Sequence, residues 1–153
     1  MRVFVDTNVF VYLFDRREPA KQTLAASLLA SLLVRASGVI STQVISELSS
    51  VLLGRRADLI RRDRVRVVIS ELMCDWQLIV VRPRTIETAF EGVERFGFSW
   101  FDAQIWAAAK GADAGYLLTE DFADGLDADG VRVVNPFNAD FDAEAFIAEI
   151  AGT

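Results

Sequence analysis

The chain has 153 residues, 52% apolar and 25% charged, with 9 Gly, 3 Pro, 1 Cys and no His. That composition suits one packed core and excludes disorder and low complexity. The lone Cys74 excludes an intrachain disulfide or a multi-cysteine zinc site, and the lack of histidine removes Ser-His-Asp, Cys-His and histidine-ligated zinc chemistry.

The formal charge of −6 argues against a chain held to nucleic acid by bulk charge. The apolar run from Val3 to Phe14 is interrupted by Asp6 and Asn8 and is followed by no cleavage site. Leu24 to Val34 falls short of the roughly 18 to 20 apolar residues of a membrane span. A cytoplasmic protein is expected, since its cysteine usage fits a reducing compartment.

Arg2 to Val5 reads as a short buried strand and Thr7 to Phe14 as a helix or helical turn. Ala20 to Ala36 carries Leu24, Leu28, Leu32 and Leu33 at the spacing of one helix face. Gly38 opens a second strand, Val39 to Ser41, and Ser41 or Thr42 caps a helix reaching about Leu53. Gly54 ends it, and Asp58 is expected to cap a helix running to about Asp75. Leu78 to Val81 is strand-like and Pro83 stops it. Thr85 to Phe96 is a helix closed by Gly97, and Ser99 caps another from about Trp100 to Lys110. Gly115 to Leu118 and Val131 to Val134 are strands separated by an Asp- and Gly-rich loop, and a final helix covers about Asp142 to Ile150. Short apolar strands alternating with helices predict a three-layer α/β/α fold with a mostly parallel sheet.

In such sheets ligands sit beyond the carboxyl ends of the strands. Asp6 follows the first strand directly, and Asp121 follows the strand that ends at Leu118. Asp102 lies in the first turn of its helix, close in angle to Ile105 and Ala109. Glu47 borders the apolar stripe of Val44, Leu48, Val51 and Leu52. Singly, each could be a cap, a turn former or half of an ion pair. Together they are four acids that the topology can bring to one sheet edge, with two lysines in the whole chain to neutralise them. Clustered carboxylates take up protons or a cation, and oxygen-only donors favour Mg²⁺ or Mn²⁺. These four acids account for −4 of the −6 net charge.

The segments Val3-Phe4-Val5-Asp6-Thr7-Asn8, Ser41-Thr42-Gln43-Val44-Ile45-Ser46-Glu47-Leu48, Ser99-Trp100-Phe101-Asp102-Ala103 and Leu118-Thr119-Glu120-Asp121 resemble the PIN-domain nucleases. The likeness is strongest to the VapC-type toxins of toxin–antitoxin pairs, whose tail Val133-Val134-Asn135-Pro136-Phe137 also resembles. It spans nearly the whole chain, which therefore reads as one PIN-like domain over residues 1–153. The resemblance implies a metal-dependent endoribonuclease with Asp6, Glu47, Asp102 and Asp121 around Mg²⁺ or Mn²⁺. It also implies a sheet of about five parallel strands, a homodimer and an antitoxin that blocks the site. Thr119 aligns with a hydroxyl that assists the family's site and Asn8 with a polar residue supporting the first Asp. Glu120 is either a fifth acid near the metal or a solvated loop residue.

Arg55, Arg56, Arg61, Arg62, Arg64 and Arg66 crowd into 12 residues. They are either an RNA-phosphate patch flanking the acidic site, with Arg55, Arg56, Arg61 and Arg62 its candidate RNA-binding residues, or a solvated helix face with some arginines paired to Asp58 and Asp63. Trp100 and Phe101 could stack an unpaired base, but Phe101 fits the buried stripe and is expected in the core. Asp124, Asp127, Asp129 and Gly130 fall short of a calcium loop, because Gly125 occupies the first ligand place and no terminal Glu follows. The mean hydropathy of +0.29 suggests surplus apolar surface for a dimer face or a partner helix.

Metal-dependent RNA hydrolysis leaving 5′-phosphate and 3′-hydroxyl ends is the expected activity. Two alternatives are an aspartyl phosphotransferase, which needs an Asp where Asn8 stands and a nearby Lys, and a non-catalytic metal-binding module that docks a partner.

Overall fold

A computed structural model describes residues 1–152. Its elements in chain order are β1 (Arg2–Val5), α1 (Thr7–Tyr12), α2 (Pro19–Val34), β2 (Gly38–Ser41), α3 (Thr42–Leu53), α4 (Arg62–Asp75) and β3 (Gln77–Ile79). They continue with α5 (Pro83–Phe96), α6 (Trp100–Gly111), β4 (Ala114–Leu118), β5 (Asp127–Ala128), β6 (Val131–Val134) and α7 (Ala143–Ala151).

The sheet has the order β3-β2-β1-β4-β6-β5. Five strands are parallel, and β5 is a short antiparallel addition beside β6. The expected five-strand parallel sheet is therefore present, with one edge strand made by the Asp- and Gly-rich loop folding back. Val3 pairs with Gly38 on one side and Tyr116 on the other, and Val5 faces Leu118. The chain winds outward from β1 through β2 to β3, then returns to place β4 on β1's other side. That reversal makes the carboxyl ends of β1 and β4 the switch point where such sheets bind ligands.

Both faces of the central strands are covered, which is why Val3, Phe4, Val5, Leu117 and Leu118 are all fully buried and alternate with nothing polar. α5 and α6 pack on one another, and α6 runs along β2, β4 and β6. α6 supplies an almost continuous buried run from Ile105 to Ala109 because small alanines let it lie close to the strands. Trp106 is fully buried, and its indole N–H finds the Ala128 carbonyl at 3.0 Å, so the core's largest side chain leaves no polar atom unpaired. On α2 the buried stripe is Ala25, Leu28, Leu29 and Leu32. Leu33 lies off it and is exposed.

Several bounds differ from expectation by one or two residues, with β3 ending at Ile79 and not Val81 and α1 ending at Tyr12 and not Phe14. Two differences have a clear physical cause. Asp58 caps no helix: it sits 3.6 Å from Arg17 and 3.7 Å from Arg56, and α4 starts at Arg62 without a side-chain cap. Pro83 starts α5 as its first residue, since its missing N–H and fixed φ suit a first helical turn. Gly97 ends α5 in the left-handed region at φ 70°, where a side chain is disfavoured. Gly38 is needed for a different reason, since a Cβ there would lie 2.2 Å from the Trp76 ring. Among the described residues no helix is long and apolar enough to cross a membrane.

Candidate active site

Four sequence-distant segments converge beyond the carboxyl ends of β1 and β4. Asp6 leaves β1 and becomes the N-cap of α1, so its carboxylate is fixed by the chain that turns around it. One oxygen accepts from the Thr7 N–H at 2.6 Å. The other accepts from the Thr119 hydroxyl at 2.8 Å and the Asn8 amide at 3.3 Å. Thr119, fully buried just past β4, also accepts from the Asp121 N–H at 3.1 Å and from the Asn8 amide at 3.1 Å. The same Asn8 amide nitrogen reaches an Asp121 carboxylate oxygen at 3.0 Å. Asp6 and Asp121 are thus tied through one amide and one hydroxyl.

Glu47 projects from α3 toward the same point. It accepts from the Thr7 hydroxyl at 3.1 Å and from Gln43, one helical turn earlier, at 2.7 Å. Asp102 in the first turn of α6 accepts from the Ser99 hydroxyl at 2.6 Å. All four acids line one cleft of about 750 Å³, and Asp15, Glu18 and Glu120 line it too, making seven acids against Arg55 and Arg56.

Asp6 carries the electrostatic signature of this crowding. Burial pushes its carboxyl from 3.8 up to about 7, against the hydrogen bonds from Thr119 and the Thr7 N–H, and the Asp121 and Glu47 carboxylates push it further up. Desolvation is the leading cause and the neighbouring charges add to it.

Among the described residues no three Asp, Glu, Cys or His side chains are grouped so that together they could hold a metal ion. The donor set still fits a hard, hydrated cation. Mg²⁺ keeps several waters and takes one or two carboxylates directly, and the linked Asp6–Asp121 pair offers two, the buried Asp6 and the exposed Asp121. Asn8 Oδ1 is buried with no hydrogen-bond partner, another oxygen unaccounted for beside that pair.

The other sequence expectations divide. Of the arginine cluster, Arg55 and Arg56 line the cleft; Arg61 pairs with Asp63 at 2.8 Å and Arg62 is exposed at the start of α4, neither lining it. Arg56 is bound to buried Asp15 at 2.5 Å, and Asp15 also pairs with Arg17 at 3.0 Å. Phe101 is not core: it is 66% exposed at the cleft wall, because the apolar stripe of α6 continues past the sheet edge where nothing packs on it. Trp100 instead packs on Phe90, ring centroids 4.8 Å apart. Glu120 is neither bare loop nor bare acid, for Tyr12 and Lys21 hold it. Thr7, Gln43 and Asp15 escaped notice in the sequence. The first two had a signal, since Thr7 adjoins Asp6 and Gln43 precedes Glu47 by one helical turn.

Residues 3–123 match the family model of the PIN domain. No curated protein is a significant sequence match. Among solved structures, VapC20 of Mycobacterium tuberculosis, a Sarcin-Ricin loop cleaving toxin, aligns with a TM-score of 0.60 at 22% identity over 75% of this chain and 86% of its own. A toxin–antitoxin complex from Klebsiella pneumoniae aligns at 0.60 and 23% identity over 90% and 98% of the two chains. VapBC2 from Rickettsia felis, bound to a promoter DNA fragment, aligns at 0.63 and 16% identity over 87% and 97%. At these identities the likeness to solved structures is one of fold.

Proposed function

The chain belongs to the PIN-domain family, and on that premise we propose that it is a Mg²⁺- or Mn²⁺-dependent endoribonuclease, the toxin of a toxin–antitoxin pair. The observation that carries the reading is the buried Asp6 carboxyl, linked to Asp121 through Asn8 and Thr119 and facing Glu47 in the same cleft. Asp6, Glu47, Asp102 and Asp121 would hold the cation, directly or through water. When bound, the cation lowers the pKa of a water and offsets charge on the phosphodiester. Thr119 and the Thr7 N–H favour the charged form of Asp6 but do not outweigh its burial, Asn8 fixes the spacing to Asp121, and Gln43 with Thr7 aims Glu47. With no imidazole the chain lacks the commonest base–acid pair for the 2′-hydroxyl route, so products with 5′-phosphate and 3′-hydroxyl ends are expected.

Arg55, which lines the cleft and has no ion pair among the described residues, is the residue for RNA phosphate. The partner is an antitoxin helix. What supports it is the apolar groove of about 340 Å³ lined by Phe10, Leu13, Phe14, Leu29, Leu33 and Leu72, and the toxin–antitoxin complexes among the structural relatives. A homodimer is supported by exposed Phe90 and Val93, one turn apart on α5. Its place of action is the cytoplasm. The phosphotransferase alternative loses ground: Asn8 fills the second acid's place, Lys110 is engaged by Asp129 and Lys21 by Glu120.

The test is cleavage of a mixed tRNA and structured RNA pool with Mn²⁺, beside Asp102→Asn. We expect metal-dependent cutting that Asp102→Asn abolishes. Cyclic-phosphate ends would overturn the mechanism, and unchanged RNA with intact Mn²⁺ binding would favour a non-catalytic docking module.

A further inference from the structure

The chain has two lysines, and one of them is spent beside the acidic cleft. Lys21, in the first turns of α2, donates to the Tyr12 hydroxyl at 2.8 Å and to one Glu120 oxygen at 3.1 Å. The Tyr12 hydroxyl donates to the other Glu120 oxygen at 2.8 Å. The three groups close a ring of hydrogen bonds in which every member touches both others. The ammonium also lies 4.4 Å from the Tyr12 ring centroid and 5.2 Å from that of Phe137, and those two rings meet edge to face at 4.6 Å. Lys21 and Glu120 are each about two-thirds covered, at 32% and 27% side-chain exposure, so this is not a loose surface pair.

The ring's position gives it a task. Glu120 is the residue before Asp121, in a stretch that has left β4 and has no regular secondary structure to hold it. A carboxylate next to Asp121, in a cleft lined by seven acids, is repelled outward by its neighbours. Here it is drawn instead toward α1 and α2. Pinning Glu120 to α1 and α2 fixes the main chain at Asp121 from one side of the cleft, while the Asn8 amide and the Thr119 hydroxyl hold Asp121 itself.

We propose that Lys21, Tyr12 and Glu120 act as one positioning unit that sets the Asp121 carboxylate against Asp6 before any cation arrives; this rests on reading the cleft as a cation site. Lys21 is thus a positioning residue, touching neither RNA nor metal. Partners that orient a metal's ligands typically contribute about 10- to 100-fold in affinity.

The experiment is titration of the full chain with Mn²⁺ alone by calorimetry, for wild type, Lys21→Met, Glu120→Gln, the double variant and Lys21→Arg. Hydrogen exchange at residues 119–122 in EDTA accompanies it. Each single loss should raise the Mn²⁺ Kd about tenfold. The double should raise it by no more than either single, because one unit is lost only once. Lys21→Arg, which keeps a charged donor, should stay within about threefold of wild type. In EDTA, Lys21→Met should speed exchange at 119–122 without a general loss of protection. A Kd within twofold of wild type in both single variants overturns the proposal, as does tenfold-plus-tenfold additivity in the double. A lowered melting midpoint with unchanged Kd assigns the ring to stability alone and also overturns it. Failure of wild type to bind Mn²⁺ removes the cation reading, and this proposal falls with it; exchange in EDTA then reports whether the ring still orders the loop.

Discussion

Asp6 is where burial, hydrogen bonding and repulsion meet in one carboxyl. Its folded-state value of about 7 lies above the 3.8 of an ordinary Asp, so between those limits the folded protein keeps a proton that the unfolded chain has released. Stability follows the difference in bound protons, and here the folded state binds more. The Asp6 contribution to metal-free stability is therefore complete below about pH 4 and is lost as pH rises toward about 7. Melting midpoints in EDTA should show that decline, and saturating Mn²⁺ should flatten it by replacing the proton. Below pH 7 Mn²⁺ binding should also release a proton, read from the dependence of calorimetric heat on buffer ionisation. Thr119→Val sharpens the test. It deletes the hydroxyl that most lowers the Asp6 value, so the pH midpoint for Mn²⁺ binding should move alkaline. It also leaves the Asp121 N–H without its Thr119 acceptor and removes one of three acceptors from the Asn8 amide, costing about 1–3 kcal/mol of stability. A midpoint that moves acid, or stays put, contradicts the assignment of hydroxyl and carboxyl.

Helices and loops show why some of this was legible in the sequence and some was not. Asp6 and Asp121 could be read because strand ends are visible as the last residue of an apolar run, and Glu47 because a helix's buried face is periodic. The Ser41 and Ser99 caps were legible for the same local reason. Asp58 was not, because its role depends on Arg17 and Arg56, which come from other loops. Phe101 was misread because periodicity reports which residues share a face but not where the sheet beneath that face ends. Asp15 is the clearest case of information carried only by the fold. It is buried at 5% exposure on the loop after α1, and Arg56 from the loop after α3 reaches it at 2.5 Å while Arg17 holds the other oxygen. That network joins the two loops that form one wall of the cleft. Arg56→Met should cost about 1–3 kcal/mol, since it leaves a buried carboxylate with one cation instead of two. Urea unfolding should show a lower midpoint with an unchanged slope. No shift in midpoint would mean that Arg17 alone satisfies Asp15.

On the scale of the whole molecule, a protein of net charge −6 is proposed to bind a polyanion, and the charge distribution says how. Seven acids line the cleft, and of the crowded arginines only Arg55 and Arg56 reach it. Arg56 is committed to Asp15, so its charge is already compensated by its own protein. Arg61 is likewise spent on Asp63 at the surface. On the proposed function, RNA affinity would therefore come from few uncompensated charges, chiefly Arg55 and a bound cation, rather than from a basic field. Each phosphate contact on single-stranded RNA adds about 0.7 to the slope of log affinity against log salt. Binding measured on the Asp102→Asn protein with Mn²⁺ should have a shallow slope. Arg55→Ala should lower that slope by about 0.7 and weaken binding uniformly across sequences. Arg61→Ala, made as the control, should change neither quantity, because its guanidinium is neutralised outside the cleft. If Arg61→Ala lowers the slope as much as Arg55→Ala does, the RNA path leaves the cleft along α4, and the arginine cluster acts as a continuous patch after all. An unchanged slope in both would leave the cation as the sole phosphate contact, and affinity should then vanish altogether in EDTA.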